Sequence, residues 1–233
     1  MSTVSFFLPV RAGSERVLNK NTKPFADIEG GLLANKLRQL SQSRNIDEII
    51  LSTNDSDCIA VGERFARADK RIRVILRPDE LCSSQTNLQD LIRYVATVTD
   101  CEHVLWGHVT TPLVHAPLYD EAIECYGNAL KDGFDSLVSV SRFQNFLLND
   151  AGQMVNNSTK LPWPRTQDLT PLYEINHAMF MAPRQLYAQG QRTGVHPKLY
   201  QFEKIRAQDI DWPEDFVVCE QLYFYFIKNS IAV

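Results

Sequence analysis

The chain has 233 residues, of which 44% are apolar, and a formal net charge of −4 at pH 7. Because this length can bury one sizeable core, we expect a single domain over residues 1–233, and because no long Lys/Arg run is present, we exclude nucleic acid as the main partner. No window approaches the ~20 apolar residues of a membrane span and no basic region precedes an apolar N-terminal stretch, so we expect a cytoplasmic protein without a membrane partner.

The five cysteines are odd in number and scattered, without the paired spacing of a zinc or redox site. They are Cys58, Cys82, Cys101, Cys125 and Cys219. We interpret them as reduced, mostly buried small apolar side chains.

Strand-like apolar runs alternate with helix-like patterns over the first 140 residues. The predicted strands are Val4–Leu8, Glu48–Thr53, Ile72–Arg77, His103–Trp106 and Ser136–Val140, and the predicted helices are Leu32–Ser43, Asp55–Ala68, Leu88–Thr97 and Ala116–Leu130. This alternation predicts βαβ units in a Rossmann-like α/β fold, with a doubly wound, mainly parallel sheet.

The alternation of strands and helices stops between Ser141 and Tyr173, in a long stretch that is rich in Asn, Pro and Thr. A segment of this length without a helix is usually functional or interfacial, and Pro162-Trp163-Pro164 supplies stiff extended backbone with an aromatic side chain. We predict an arm, inserted in the domain, that dimerises across a two-fold axis and builds part of the partner's site; an ordinary surface loop is the alternative. After this stretch the sequence again predicts regular elements, namely the strands Ala178–Ala182 and Leu199–Ile205 and a final helix from Pro213.

A short basic loop follows the first predicted strand. Its small residues are Ala12, Gly13 and Ser14, and its cations are Arg11, Arg16 and Lys20. Small residues let backbone N–H groups approach an anion, and a strand, loop and helix in succession commonly present such amides to phosphate. The pattern predicts a loop that holds a nucleoside triphosphate, with a basic surface loop as the alternative.

A second candidate site is the acidic pair in Asp209-Ile210-Asp211. On extended backbone, carboxylates two residues apart project to the same side while Ile210 points to the other. Magnesium often binds one or two carboxylates together with substrate phosphate oxygens, so the pair predicts the protein half of a Mg²⁺–nucleotide site. The alternative is that Asp211 and Glu214 complement the N-terminus of the helix that Pro213 opens.

Together these segments resemble the acylneuraminate cytidylyltransferase family, the CMP-sialic acid synthetases and their relatives, over nearly the whole chain. The family's first-strand motif P-A-R-x-G-S-K-x-x-x-x-K-N is matched at Pro9, Arg11, Gly13, Ser14, Lys20 and Asn21. Further matches, in order, are Leu51-Ser52-Thr53-Asn54, Arg77-Pro78-Asp79-Glu80-Leu81, Thr110-Thr111-Pro112-Leu113, Pro164-Arg165-Thr166-Gln167, Asn176 and Asp209-Ile210-Asp211.

The resemblance implies a fold of the nucleotide-diphospho-sugar transferase type and transfer of CMP from CTP to an acidic 2-keto-3-deoxy sugar, with Mg²⁺ as cofactor and a homodimer as the assembly. By resemblance, Arg11 and Lys20 contact the triphosphate and are catalytic together with Asp209 and Asp211, the Mg²⁺ ligands. The remaining nucleotide-binding residues are Ala12, Gly13, Ser14, Arg16, Asn21, Arg77 and Ser84, of which Asn21 and Arg77 help to hold the cytidine. The sugar-binding residues are His108, Thr110, Thr111, Arg165, Gln167 and Asn176. His108 is also a candidate acid/base group, although a lone histidine beside a turn more often contacts the sugar.

Several positions depart from the family pattern. Glu15 stands where the family has lysine, Ser84 where many relatives have Asp, and His108 where many have Gln. Residues Glu174-Ile175-Asn176-His177 replace R-P-N-G. Because His108 and the 174–177 stretch fall where the family recognises its sugar, the sequence predicts the reaction class and leaves the particular sugar acid open.

Two other function classes stay open at this point. A glycosyltransferase of the related nucleotide-sugar fold also uses an Asp-x-Asp pair, but there the pair typically follows a mid-chain strand and the basic Gly-Ser loop is not expected. A non-catalytic sugar-nucleotide binding protein of the same fold is favoured by the departures at Glu15 and Ser84.

Overall fold

The computed structural model describes residues 3–13, 16–83 and 85–232. Over those ranges the strands are β1 Val4–Pro9, β2 Glu48–Thr53, β3 Ile72–Leu76, β4 His103–Trp106, β5 Ser136–Phe143, β6 Leu172–Pro183 and β7 Pro197–Gln201. The α-helices are α1 Gly31–Ser41, α2 Ser56–Ala68, α3 Leu88–Val98, α4 Ala116–Lys131, α5 Arg184–Ala188 and α6 Pro213–Lys228.

The strands form one sheet in the order β3-β2-β1-β4-β6-β5-β7. β6 runs antiparallel to both of its neighbours, and the other neighbouring pairs are parallel. The predicted Rossmann-like, mainly parallel α/β sheet is therefore confirmed. The strand order reverses beside β1, because β2 and β3 lie on one side of it and β4 on the other, and such a reversal opens a crevice at the carboxyl ends of the strands.

Helices cover both faces of the sheet, and for this reason the sequences of its central strands are continuous apolar runs. Phe6 and Phe7 of β1 are both fully buried although they point to opposite faces. Phe6 belongs to the core beneath α1, α2, α4 and α6, and Phe7 to the core beneath α3 and α5. The sheet is thus held between two packed layers of helices.

The irregular segment is shorter than the predicted range Ser141–Tyr173. β5 continues to Phe143 and β6 begins at Leu172, because these two strands stay paired beyond the rest of the sheet as an antiparallel ribbon. The segment without regular strands or α-helices therefore spans residues 144–171. We call the ribbon and this segment together, residues 141–175, the arm.

β7 also differs from its predicted range, since it spans Pro197–Gln201 and not Leu199–Ile205. Its parallel partner is β5, and the pairing ends at Val140 with Gln201, where β5 leaves the sheet to form the ribbon. Beyond that point the chain turns, with the Ala207 N–H donating to the Glu203 carbonyl. An apolar run in the sequence does not reveal where its partner strand ends.

Helix α1 fixes the segment that follows β4 through a fully buried lysine. Lys36 Nζ donates to the carbonyls of Thr111 (2.9 Å) and Val114 (3.4 Å) and to the Tyr119 hydroxyl (2.7 Å). One residue before it in α1, Asn35 donates to the Pro112 carbonyl at 2.9 Å. Burial lowers the pKa of Lys36 to about 7.

Among the described residues, none of the helices combines the length and apolar character needed to cross a bilayer. All five cysteines are unpaired, as predicted, with Cys58 and Cys219 buried and the other three half-buried.

We predict that Lys36 makes the free energy of unfolding rise with pH. Its pKa is about 7 in the folded chain against an ordinary value of 10.5, so the unfolded chain binds more protons between these two values. One such group adds a slope of up to about 1.4 kcal/mol per pH unit above pH 7 and none below it. Urea unfolding at pH 6 to 9 should therefore give a steeper rise in the wild type than in Lys36→Met.

Lys131→Met is the control for this prediction, because Lys131 is exposed at the end of α4. It should keep the wild-type slope. Equal slopes for wild type and Lys36→Met would mean that Lys36 titrates at its ordinary pKa.

Candidate functional site

A pocket of about 220 Å³ opens at the crevice beside β1. It is lined by the loop after β1, including Arg11, Gly13, Arg16, Lys20 and Asn21, and by the loop after β4, including His108 and Thr110. Both loops leave the carboxyl ends of neighbouring parallel strands, where ligands of open α/β sheets bind. The structure therefore gathers most of the predicted triphosphate loop around one pocket.

The backbone of the basic loop is shaped by Gly13 and by the end of β2. Gly13 has φ +79°, a left-handed conformation that favours glycine. The Ala12 N–H donates to Asn54 Oδ1 at 2.9 Å, which ties the loop to the residue after β2. Ser14, a predicted nucleotide-binding residue, and Glu15 lie outside the described residues.

Two cations of this loop meet the acidic segment from the far end of the chain. Lys20 Nζ donates to the Ile210 carbonyl at 2.8 Å, and Arg16 pairs with Asp211 at 3.1 Å. Burial lowers the pKa of Lys20, while the negative charges of Asp211 and Asp209 oppose that shift. Both partners of the Arg16 ion pair are about half exposed, so the pair adds little stability and is available to rearrange around an anion.

The residue between the two aspartates is buried, as the sequence predicts. Ile210 is fully buried and its N–H donates to the Thr110 carbonyl at 2.9 Å, so Asp209 and Asp211 flank an anchored residue beside the pocket. Burial raises the pKa of Asp209, with the Asp211 charge adding to it and a hydrogen bond from the Thr110 side chain opposing it. Asp209 Oδ1 is buried and has no hydrogen-bond partner among the described residues.

This donor set fits magnesium. A buried carboxylate oxygen without a partner, two residues from a second carboxylate, is the protein share of a site whose other ligands are phosphate oxygens and water. Within residues 3–13, 16–83 and 85–232, no group of three or more His, Cys, Asp or Glu side chains could hold a metal ion alone. A cation at Asp209 and Asp211 would therefore depend on ligands that the substrate brings.

The backbone N–H groups at the start of α6 are capped by Asp215 and not by the acidic pair. Asp215 Oδ2 accepts hydrogen bonds from the N–H groups of Asp211 (3.0 Å) and Trp212 (2.7 Å). The Asp211 side chain faces Arg16 instead, and Glu214 is exposed. This arrangement favours the metal-pair interpretation over helix complementation by Asp211 and Glu214.

Two predicted cytidine residues are buried beside the pocket. Asn21 Nδ2 donates to the Arg11 carbonyl at 3.3 Å. Arg77 Nη2 donates to the Ser52 carbonyl at 2.7 Å, and burial lowers the pKa of Arg77, with the positive charge of Arg11 acting in the same direction. Arg77 therefore lies close to Arg11 at the end of β2. Ser84 lies outside the described residues.

His108 is held as a neutral imidazole. Its Nε2 accepts a hydrogen bond from Trp106 Nε1 at 3.1 Å, so its proton belongs on Nδ1. Burial, followed by the positive charges of Arg192 and His177, lowers the pKa of His108 to about 3. His108 thus presents an N–H donor near pH 7 and is a poor candidate for a general base.

The predicted sugar residues beyond His108 have different surroundings. Thr110 lines the pocket, whereas Thr111 is fully buried and its Oγ1 donates to the His108 carbonyl at 3.2 Å. Asn176 is buried, with its Oδ1 accepting from the Ser139 hydroxyl at 2.6 Å. This hydrogen bond joins β5 to β6 where their pairing is irregular. In the same region His177, which stands where the family has glycine, adopts φ +57°.

Arg165 and Gln167 are not brought to the pocket within this chain. Both lie exposed on the arm, and the Arg165 guanidinium forms two hydrogen bonds with Asp168, at 2.8 and 2.9 Å. The Gln167 carbonyl accepts from Gln144 Nε2 at 3.1 Å. A role for either residue in a sugar site requires that the arm reach another subunit.

Sequence reasoning missed three residues that shape the site: Asn54, His177 and Arg192. Asn54 ends the motif Leu51-Ser52-Thr53-Asn54, and its position directly after a strand is the signal that could have identified it as a site residue. His177 was noted only as a departure, and the sequence holds no signal for its left-handed backbone. Arg192 stacks on residues more than ten positions away in sequence, and no local pattern reports such a contact.

Comparisons with known proteins agree on one family. The sequence pattern of the family described as "Cytidylyltransferase" matches residues 6–231. The chain is 24% identical over 223 residues to the pseudaminic acid cytidylyltransferase of Campylobacter jejuni, covering 93% of this chain and 94% of that protein. It is 27% identical over 240 residues to the N-acylneuraminate cytidylyltransferase of Streptococcus agalactiae, covering 96% of this chain and 54%, about half, of that longer protein.

Solved structures share the fold. A CMP:2-keto-3-deoxy-manno-octonic acid synthetase complexed with CTP superposes with a TM-score of 0.65 at 11% identity, covering 96% of this chain and 99% of that one. A 4-diphosphocytidyl-2C-methyl-D-erythritol synthase from Anaerococcus prevotii gives a TM-score of 0.65 at 18% identity, covering 96% of each chain.

We predict that Lys20→Met weakens the binding of inorganic pyrophosphate by at least about 10-fold, because a charged hydrogen bond contributes roughly 1.5–3 kcal/mol. Isothermal titration calorimetry measures the effect. Lys23→Met removes an exposed cation from the same stretch and should bind pyrophosphate like the wild type. Equal affinities for wild type and Lys20→Met would contradict the phosphate-loop interpretation.

Proposed function

Because this chain belongs to the cytidylyltransferase family, we propose that it transfers CMP from CTP to the anomeric hydroxyl of a nonulosonic, 2-keto-3-deoxy sugar acid and releases pyrophosphate. The observation that carries the proposal is the meeting of Lys20 and Arg16 with the segment Asp209–Asp211 at the crevice beside β1. A polyphosphate needs the cations and a bound divalent ion needs the carboxylates. The sugar class is supported by the relatives named for pseudaminic and N-acylneuraminic acids.

In the proposed reaction the hydroxyl oxygen forms a bond to the α-phosphorus while the bond from that phosphorus to the bridging oxygen breaks, and pyrophosphate leaves. Arg11, Arg16 and Lys20 neutralise the triphosphate and then the leaving pyrophosphate, so most of the catalysis is positioning and charge neutralisation. Asp209 and Asp211 would hold magnesium, which when bound would supply positive charge against the phosphates and Lewis acidity for the attacking hydroxyl.

In this scheme His108 binds the sugar as a hydrogen-bond donor. Its Nε2 is engaged by Trp106 and its Nδ1–H is free to face a hydroxyl or carbonyl oxygen. The hydroxyl proton therefore passes to solvent or to a phosphate oxygen instead of to an imidazole. This assignment predicts no His108 ionisation in the pH–rate profile near neutrality.

We further propose that the protein acts as a homodimer joined through the arm. The arm is organised by amide hydrogen bonds and not by an apolar core: buried Asn156 donates to the carbonyls of Asn145 (2.8 Å) and Thr170 (3.4 Å). Most of its large apolar side chains face outwards, including Trp163 (76% exposed) and Leu161 (61% exposed), whereas Leu169 is buried. Exposed aromatic and aliphatic groups concentrated on one segment are typical of an interface.

Such a dimer would also bring Arg165 towards a neighbouring subunit. Its guanidinium is paired with Asp168 in the single chain, so contact with the partner's acidic sugar would require exchange of that ion pair. The sugar-binding role of Arg165 and Gln167 stays a prediction that depends on this assembly.

The decisive experiment is pyrophosphate release with CTP and Mg²⁺ against a panel of nonulosonic and other 2-keto-3-deoxy acids. We expect turnover with at least one acid and none without metal, and a loss of at least about 10²-fold in rate for Asp209→Asn and Asp211→Asn. Both variants should unfold near the wild-type temperature, because Asn keeps the size of the side chain and the ion pair lost at Asp211 is about half exposed.

Glu214→Gln is the matched control, since it removes an exposed carboxylate three residues from Asp211 and should retain full activity. Binding of CTP without turnover on any acid would favour a non-catalytic nucleotide-binding protein. Hydrolysis or transfer from a sugar nucleotide in place of CTP would favour a glycosyltransferase.

For the arm, we predict that Trp163→Asp raises the dimer dissociation constant by at least about 30-fold, the scale of an aromatic residue at the centre of an interface. Sedimentation velocity at micromolar protein measures it. Lys160→Gln changes an exposed charge on the same segment and should leave the dimer intact. A monomeric wild type, or a Trp163→Asp variant that dimerises equally well, would contradict the proposed interface.

A further inference from the structure

Arg192 lies in the loop between α5 and β7, half-buried against two aromatic rings. Its guanidinium carbon is 3.9 Å from the centre of the Phe180 ring and 5.5 Å from the centre of the Trp106 ring. Across residues 3–13, 16–83 and 85–232, neither a hydrogen bond nor an ion pair engages this guanidinium. Burial lowers the pKa of Arg192. A desolvated cation without an anionic partner is unfavourable unless a ligand supplies the anion.

The position of Arg192 connects it to the candidate site. Phe180 on β6 pairs directly with Trp106 at the carboxyl end of β4, and His108 follows two residues later along the chain. Arg192 is close enough to His108 that its charge is the largest influence after burial on the lowered pKa of that imidazole. His108 in turn lines the pocket that holds Arg11 and Lys20. Arg192 therefore lies near His108 on the β6 side of β4, whereas Arg77 follows β3 on the other side of β1.

The surroundings of Arg192 leave room for a ligand. Its loop, residues 190–195, lines a pocket of about 340 Å³ together with Leu88 and Gln89 at the amino end of α3. Stacking on Phe180 fixes the plane of the guanidinium while its N–H groups lie at the rim of that plane. Two parallel N–H donors in a fixed plane match the two oxygens of a carboxylate. The partial positive charge at the start of α3 acts in the same direction.

Three other cations that the sequence predicts to bind substrate already have partners within the described part of the chain. Arg16 pairs with Asp211, Lys20 donates to the Ile210 carbonyl, and Arg165 forms two bonds with Asp168. We propose that Arg192 binds the carboxylate of the acidic sugar within the same subunit, an inference that rests on the proposed function. It places the carboxylate beside the pair Trp106 and Phe180 and directs the anomeric hydroxyl towards the phosphate-binding loop.

A purely structural role for Arg192 makes different predictions. An arginine that only covers Trp106 and Phe180 would lower the unfolding temperature when replaced and would leave discrimination between charged and uncharged sugars intact. Arg192→Met keeps an unbranched apolar stem over the rings and removes the charge, so it separates the two roles. Arg192→Lys keeps the charge and loses the planar fork.

The experiment uses the full chain, with CTP and Mg²⁺ and with N-acetylneuraminic acid and the best acid of the panel as substrates. We expect Arg192→Met to raise KM for the acid by at least about 10-fold, to change KM for CTP by less than about 2-fold, and to unfold near the wild-type temperature. Arg192→Lys should recover part of the loss. Lys198→Gln, which removes a cation lying over the ring of Phe134 in another part of the fold, should behave like the wild type.

A binding measurement keeps this test independent of turnover. Calorimetry compares N-acetylneuraminic acid with its methyl ester, which lacks the negative charge. The wild type should prefer the acid, and Arg192→Met should lose that preference. Unchanged KM for the acid, or an unchanged preference for acid over ester, overturns the assignment of Arg192 even if the wild type releases pyrophosphate. Absence of pyrophosphate release by the wild type with every acid overturns the proposed function, and the acid-against-ester comparison then decides Arg192 alone.

Discussion

The site depends on the backbone of one buried residue, Ile210. Its carbonyl accepts a hydrogen bond from Lys20 and its N–H donates to Thr110, so segments that follow β1 and β4 and one that precedes α6 are joined at a single peptide position. The fully buried side chain anchors the residue in the core beneath α6. Because the neighbours Asp209 and Asp211 must then flank that anchor, the acidic pair is placed against the basic loop by packing, before any electrostatic attraction is considered.

The electrostatics of the crevice are those of a receptor for anions. Lys20, Arg77 and Arg192 each lose hydration on folding, and burial lowers the pKa of each. In a chain with a net charge of −4, this concentration of desolvated cations is local and not a property of the whole surface. A polyanionic ligand would restore favourable interactions to these desolvated cations, and a low effective dielectric would strengthen them.

The sequence predicts the fold well because alternating strands and helices leave few ways to build a sheet covered on both faces. It also predicts the basic loop and the acidic pair, since both rest on local spacing along extended backbone. It does not predict that Asp215 serves the start of α6 or that Arg192 stacks on Phe180. These contacts join parts of the chain whose orientation is fixed only by tertiary packing. The ends of β5, β6 and β7 were misplaced for the same reason, because a strand ends where its partner does.

β6 has a consequence for how this protein can change over evolutionary time. The same strand, irregular at His177, carries Leu172 in the arm and Phe180 beside Trp106, and its pairing with β5 holds residues 144–171 at both ends. Insertions or deletions between those ends can alter the exposed surface of the arm without moving Phe180. A single-residue change inside the paired region would instead turn the alternate side chains to the opposite face. Selection can therefore remodel the exposed surface of the arm without displacing Phe180, provided that length variation stays within the segment between the strands.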